Sequence, residues 1–177
     1  MDVKVLLVIS QEYRLIISLT AEYALRAMLH LSALSADNAS QTVGQIATGT
    51  RVPAGYLSKV LQSLTRAGLI TSQRGLGGGF RLVKGPRATS LLEVIQAVDP
   101  IERIHTCPLG LAAHGTNLCP LHRRLDDAMA LIEEQFGATT LAELLEVPKA
   151  GSRLISAEEL CAFPLIGGQA KAAGDAR

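Results

Sequence analysis

Tryptophan is absent from this chain of 177 residues, and aromatic side chains make up only 3% of it. Its core must therefore be built from Leu, Ile, Val and Ala, which a hydrophobic content of 48% allows. Cysteine is scarce too: Cys107, Cys119 and Cys161 are too few for a disulfide framework. No apolar run is long enough to cross a bilayer. The short run Val5–Ile9 has little basic lead and no clear cleavage site, so it is not read as a secretory signal. A cytoplasmic protein with reduced thiols is the expectation. The most informative absence is of one sign of charge. The chain holds 17 basic and 16 acidic residues, a net charge of +1. Yet residues 41–87 contain no Asp or Glu and seven basic residues: Arg51, Lys59, Arg66, Arg74, Arg81, Lys84 and Arg87. The rest of the chain carries 10 basic and 16 acidic residues, a balance of −6. Duplex DNA is a line of negative charge bound largely by phosphate neutralisation, so a surface free of carboxylates points to a nucleic-acid partner.

The stretch Pro53–Lys84 lies inside that run. Leu57, Val60, Leu61 and Leu64 recur at helical spacing and predict one buried helix face. Gly68 is a helix stop, because glycine takes a left-handed backbone without strain. Leu69–Ser72 and Phe80–Val83 are predicted as two short strands. The glycine-rich tip between them carries Arg74 at its base. A helix followed by a basic hairpin predicts a winged helix-turn-helix, the helix in the DNA major groove and the wing at the backbone or minor groove.

Around this centre the remaining chain reads as mainly helical. Residues 1–14 are an N-terminal extension. Thr20 is expected to cap a helix over Ala21–Ser35 whose buried stripe is Leu25, Met28, Leu29 and Leu34. Thr42 caps a short helix over Val43–Thr48, and Ser90 with Glu93 forms a capping box for a helix to about Val98. The winged domain is therefore assigned to residues 15–99. Residues 100–119 form a loop that gathers cysteine and histidine. Pro120 opens a long helix to about Phe136, with Leu121, Leu125, Met129, Ile132 and Phe136 on one side and charge on the other. Such a helix is expected to pack against a second copy of itself. A short helix capped by Thr140 completes this dimerisation segment, residues 120–147, and residues 148–177 read as a mostly flexible tail.

Several stretches resemble one family in the right order: LTAEYALRAMLHL, PAGYLSKVLQSLTRAGLI, RGLGGGFRL, TSLLEVIQAVD and CPLHRRLDDAM. The chain resembles the Rrf-two family of bacterial winged-helix transcriptional regulators, the group that includes IscR and NsrR. The resemblance implies a homodimer on a roughly palindromic double-stranded DNA operator, more often as a repressor. Tyr56, Ser58 and Lys59, near the exposed start of the recognition helix, are the candidates for base or phosphate contact. Arg74 and Arg81 flank the wing, with Arg74 expected in or over the minor groove. Gly77, Gly78 and Gly79 are expected to let the backbone approach the duplex, and Phe80 to anchor the wing on the core. Tyr56 is equally readable as an aromatic packed under the first helix.

IscR-like members of the family ligate a cluster with three cysteines and a following histidine. Here Cys107 and Cys119 take the first and third cysteine positions and His122 the histidine, while Ala113, beside His114, stands at the middle position. Four readings stay open. A 2Fe–2S cluster would use Cys107, Cys119, a histidine (His114 or His122) and Glu22 of the partner subunit, and would respond to redox, iron–sulfur or nitric-oxide status. Zinc would take Cys107, His114, Cys119 and His122. A thiol–disulfide switch would use the two cysteines alone. In the fourth reading both are ordinary thiols and no cofactor is bound. An enzyme is not expected: no acid–base carboxylate pair, phosphate-binding loop or nucleophile elbow accompanies the Cys/His loop, and the glycine-rich tip joins two strands rather than opening a helix. A winged-helix module that binds protein rather than DNA is the remaining alternative, separable by salt-dependent DNA retention.

Overall fold

The computed structural model describes residues 17–34, 40–75, 77–110 and 117–146. The N-terminal extension, residues 148–177 with Cys161, and His114 lie outside the described residues. Among the described residues, six helices and one antiparallel hairpin follow in the order α1 (Leu19–Ala33), α2 (Val43–Thr50), α3 (Ala54–Arg66), β1 (Ile70–Gln73), β2 (Gly79–Leu82), α4 (Leu91–Val98), α5 (Pro120–Ala138) and α6 (Leu141–Leu145). A single 3-10 turn, Pro86–Ala88, links β2 to α4.

Helix α1 begins earlier than expected. Ser18, not Thr20, is the N-cap, and its hydroxyl accepts from the Ala21 N–H at 3.2 Å. Either hydroxyl residue suits the role chemically. Ser18 has the extended backbone a cap requires, and Thr20 falls inside the first turn. Helix α1 ends at Ala33, so Leu34 is its half-exposed C-cap and Leu25 is only half-buried. The buried face is carried instead by Ala21, Ala24, Ala27, Met28 and Leu31, with Leu29 also buried. Its three alanines add little side-chain bulk, which permits close approach of the neighbouring helices.

Helix α2 carries a complete capping box: Thr42 Oγ1 accepts from the Gln45 N–H at 3.3 Å and Gln45 Oε1 accepts from the Thr42 N–H at 2.8 Å. It runs two residues beyond the expected end, and Arg51 makes the turn to α3 with a left-handed φ of 55°. All four apolar residues predicted for the inner face of α3 are buried. Removing one of them, as in Leu61→Ala, carries an expected cost of about 2–5 kcal/mol. Gly68, at φ +72°, closes α3. Its N–H donates to Thr65 and that of Leu69 to Leu64, both at 3.0 Å, which is the Schellman pattern.

That helix end also moves the wing. The Leu69 amide serves the end of α3, so the strands sit one residue nearer the tip than expected. Their register is Ile70↔Leu82, Thr71↔Arg81, Ser72↔Phe80 and Gln73↔Gly79. On the far side of β2, Gln41 exchanges two backbone hydrogen bonds with Phe80, at 2.9 and 2.8 Å. Phe80 packs against the core, as expected of a wing anchor.

One apolar core joins α1, α2, α3 and α4, and α6 completes it through the fully buried Leu141. Two backbone bonds of 3.0 Å, Leu91 N–H to Thr139 and Leu141 N–H to Thr89, tie the starts of α4 and α6 together. Between them α5, about 28 Å long by its helical rise, packs on α4 yet has no buried residue.

Candidate nucleic-acid interface and thiol–imidazole site

The seven basic residues of the carboxylate-free run fall into two groups. Lys84 is paired with Glu93 at 3.2 Å and Arg87 with Glu146 at 2.7 Å, so acidic residues from outside the run neutralise these two. Arg51, Lys59, Arg66, Arg74 and Arg81 are exposed and make no ion pair among the described residues. Arg66 instead turns back on its own helix, reaching the Gln62 carbonyl at 3.4 Å and the Ser63 hydroxyl at 3.3 Å. Lys59 projects from α3, Arg74 follows β1 and Arg81 lies in β2, so three free cations are distributed over the helix and the wing.

The other interface candidates have mixed roles. Tyr56 is 55% exposed and also meets Tyr23 of α1 edge to face, with ring centroids 5.9 Å apart and planes at 81°. It is thus braced on the first helix while its remaining surface faces outward. Burial pushes the Tyr23 phenol up, with the neighbouring Glu22 carboxylate adding to the effect. Ser58 donates its hydroxyl to the Ala54 carbonyl at 3.0 Å within the helix. Two of the wing glycines answer to crowding inside the protein. A Cβ on Gly79, at φ +151°, would lie 2.6 Å from the Gln41 backbone, and one on Gly78 would lie 2.4 Å from the Gln73 carbonyl oxygen. Gly77 has a positive φ of +77° and open space around it.

The second site is built at the N-terminus of α5. Cys119 is the N-cap, Pro120 follows it, and His122 stands three residues on, so Cys119 and His122 share the first helical turn. Cys107 reaches the same place from the preceding loop, where its carbonyl accepts from the Gly110 N–H at 3.2 Å. Cys107 Sγ lies 3.5 Å and Cys119 Sγ 3.1 Å from the same atom, His122 Nδ1. All three ligating atoms fall within 4.8 Å of one another, with Cys119 buried and Cys107 half-buried. These residues can hold a metal ion. Glu22 is not in this group within one chain; its carboxylate pairs with Arg26 one turn along α1.

The loop is held to α5 by residues that sequence reading missed. Arg103 donates two hydrogen bonds to the Asp126 carboxylate, at 2.6 and 2.7 Å, and reaches Glu133 at 3.5 Å. Asp126 also accepts from the Ile104 N–H at 2.9 Å. The Arg103 guanidinium, followed by that N–H, holds the Asp126 carboxyl down at about 2, and the Arg103 pKa is raised in turn. The partners are 23 residues apart, so no local pattern announces the clamp.

Helix α3, an arginine-bearing wing and a core shared with α6 define a winged helix-turn-helix fold. Residues 17–147 match the profile of the Rrf2 family, described as iron-dependent transcriptional regulators. The chain is similar to the HTH-type transcriptional regulator NsrR of Geobacillus kaustophilus (strain HTA426), 33% identical over 130 residues that cover 71% of this chain and 86% of the other. It is also similar to a putative HTH-type transcriptional regulator of Aquifex aeolicus (strain VF5), 29% identical over 136 residues, 75% of this chain and 93% of that one. Among solved structures, T. potens IscR superposes with a TM-score of 0.61 at 23% identity, covering 75% of this chain and 87% of that chain. CymR of B. subtilis, the global cysteine regulator, does so with 0.61 at 24%, covering 73% and 95%. The chain belongs to the Rrf2 family of DNA-binding transcriptional regulators, whose members are not enzymes. No helix among the described residues is long and apolar enough to cross a membrane.

Proposed function

We propose that the protein is a cytoplasmic, homodimeric repressor that binds a palindromic operator, with α3 in the major groove and the wing at the adjacent minor groove. The observation that carries this reading is the trio of free cations Lys59, Arg74 and Arg81 on α3 and the wing, in a run without carboxylates. Tyr56 and Ser58 stand beside Lys59 for base or phosphate contact, and Gly77 gives the wing tip room against the duplex. Residues 15–99 are the DNA-binding domain, 100–119 the sensor loop and 120–147 the dimerisation segment. The apolar side of α5 supports the dimer: Leu121 and Leu125 are 62% and 47% exposed on a helix without one buried residue. A second copy would cover them.

Signal transfer follows from the same helix. Cys107 sits in the loop that Arg103 clamps to α5, and Cys119 and His122 open α5 itself. A change of state at the thiols therefore shifts the start of the dimer helix and, through it, the separation of the two recognition helices. Half-sites must lie about one helical turn, about 34 Å, apart, so a small shift costs much affinity. The test is retention of the full chain on duplex DNA across a salt series. Binding that falls steeply with salt is expected, and salt-independent or absent binding would contradict the reading.

A further inference from the structure

We infer that Cys107, Cys119 and His122 hold a single zinc ion rather than an iron–sulfur cluster. This inference rests on the reading of these three residues as the sensing site. The geometry is that of one centre. Both sulfurs lie close to the same nitrogen, His122 Nδ1, at 3.5 and 3.1 Å. An ion bound to that nitrogen is therefore within reach of both sulfurs. With Zn–S bonds of about 2.3 Å and Zn–N bonds of about 2.0–2.1 Å, a tetrahedral ion separates sulfur from nitrogen by about 3.6 Å and sulfur from sulfur by about 3.8 Å. Both observed sulfur–nitrogen separations fall within about 0.5 Å of the first value, and the two sulfurs lie within 4.8 Å of each other.

A 2Fe–2S cluster distributes four terminal ligands over two irons, which sets some donors farther apart than donors on one ion. The three donors that converge among the described residues lie within 4.8 Å of one another, as donors on one ion do, and Ala113 stands where the family's middle cysteine would be. A set of two thiolates and one imidazole suits zinc by softness and by tetrahedral preference, with one further donor completing the coordination. Two ligands on the first turn of α5 and one from the clamped loop mean that the ion ties loop to helix. Loading with zinc would then set the position of the α5 start.

The test uses the full chain, purified anaerobically, with metal and acid-labile sulfide measured per chain and Co(II) added to the stripped protein as a spectroscopic probe. About one zinc per chain and no sulfide are expected, with Co(II) giving thiolate charge-transfer and tetrahedral ligand-field bands. Cys107→Ser and His122→Ala should each weaken zinc retention, and Cys161→Ser should not. Iron with stoichiometric sulfide would overturn the inference. So would a stripped protein that takes up neither zinc nor Co(II), or zinc retained equally after Cys107→Ser with Cys119→Ser. Duplex binding by the same preparation keeps the two readings apart. DNA binding without zinc removes only the metal site, and zinc without DNA binding removes only the regulator.

Discussion

Replacing Arg74 with alanine probes the interface through a quantity that the structure sets in advance. Among the described residues Lys59, Arg74 and Arg81 have no ion-pair partner on the proposed DNA-facing surface, and Lys84 and Arg87 are held by Glu93 and Glu146. Three cations in each subunit make six in a dimer. Each neutralised phosphate contributes about 0.9 to the slope of log affinity against log salt, so the wild-type slope should be about −5. Raising salt from about 50 to about 200 mM should then weaken binding about a thousandfold. Arg74→Ala removes two contacts per dimer, bringing the slope to about −4 and the loss over the same range to about a hundredfold. Lys84→Ala is the internal control, because that ammonium already faces a carboxylate at 3.2 Å; its slope should stay near wild type. Fluorescence anisotropy of a labelled operator duplex at a series of salt concentrations supplies the numbers. Equal slopes for wild type and Arg74→Ala would remove the wing from the phosphate contacts. A Lys84→Ala effect as large as that of Arg74→Ala would show that the ion pairs do not sort the cations as argued.

Three further outcomes are expected. Gly79→Ala should destabilise the fold by about 3 kcal/mol, because it combines a strained φ with overlap against the Gln41 backbone. Gly77→Ala, in open space, should cost about 1–2 kcal/mol, and chemical denaturation compares the two. The Asp126 carboxyl is lowered from its ordinary 3.8 to about 2. Its contribution is thus fully present above about 4 and lost as pH falls towards 2. Protection of the Ile104 amide should follow that window in wild type and lose its pH dependence in Asp126→Asn, as read by NMR hydrogen exchange. Leu121→Glu combined with Leu125→Glu should convert a dimer to a folded monomer in analytical ultracentrifugation, since neither side chain is buried within one chain.

Much of the fold was legible because its signals are local. The 3.6-residue spacing of Leu57, Val60, Leu61 and Leu64, the stop at Gly68, the cap at Thr42 and the capping box at Ser90 each act within one turn of helix. Two hydroxyl residues flanking Leu19 left the start of α1 ambiguous, since Ser18 and Thr20 both satisfy the chemistry of a cap. The wing strands were displaced by one residue because the Leu69 amide closes α3. What sequence reading missed is held by pairs distant along the chain. These are Gln41 on Phe80, Arg103 on Asp126, and Arg87 on Glu146, 59 residues away. That last kind of pairing matters for the interface, because composition alone counted seven cations as available. The cysteines and His122 were legible as candidates from their order. Their convergence on one nitrogen depends on the loop clamp, which no spacing rule contains.

The central claim is that α3 and the wing of two copies seat together on duplex DNA. Hydroxyl-radical footprinting of the full chain, on sequences it selects from a random duplex library, tests it most directly. The account predicts two protected half-sites with centres about one helical turn, about 34 Å, apart, and flanking minor-groove protection that disappears in Arg74→Ala. Failure to select any duplex in dilute buffer, or a footprint unchanged by Arg74→Ala, would contradict it.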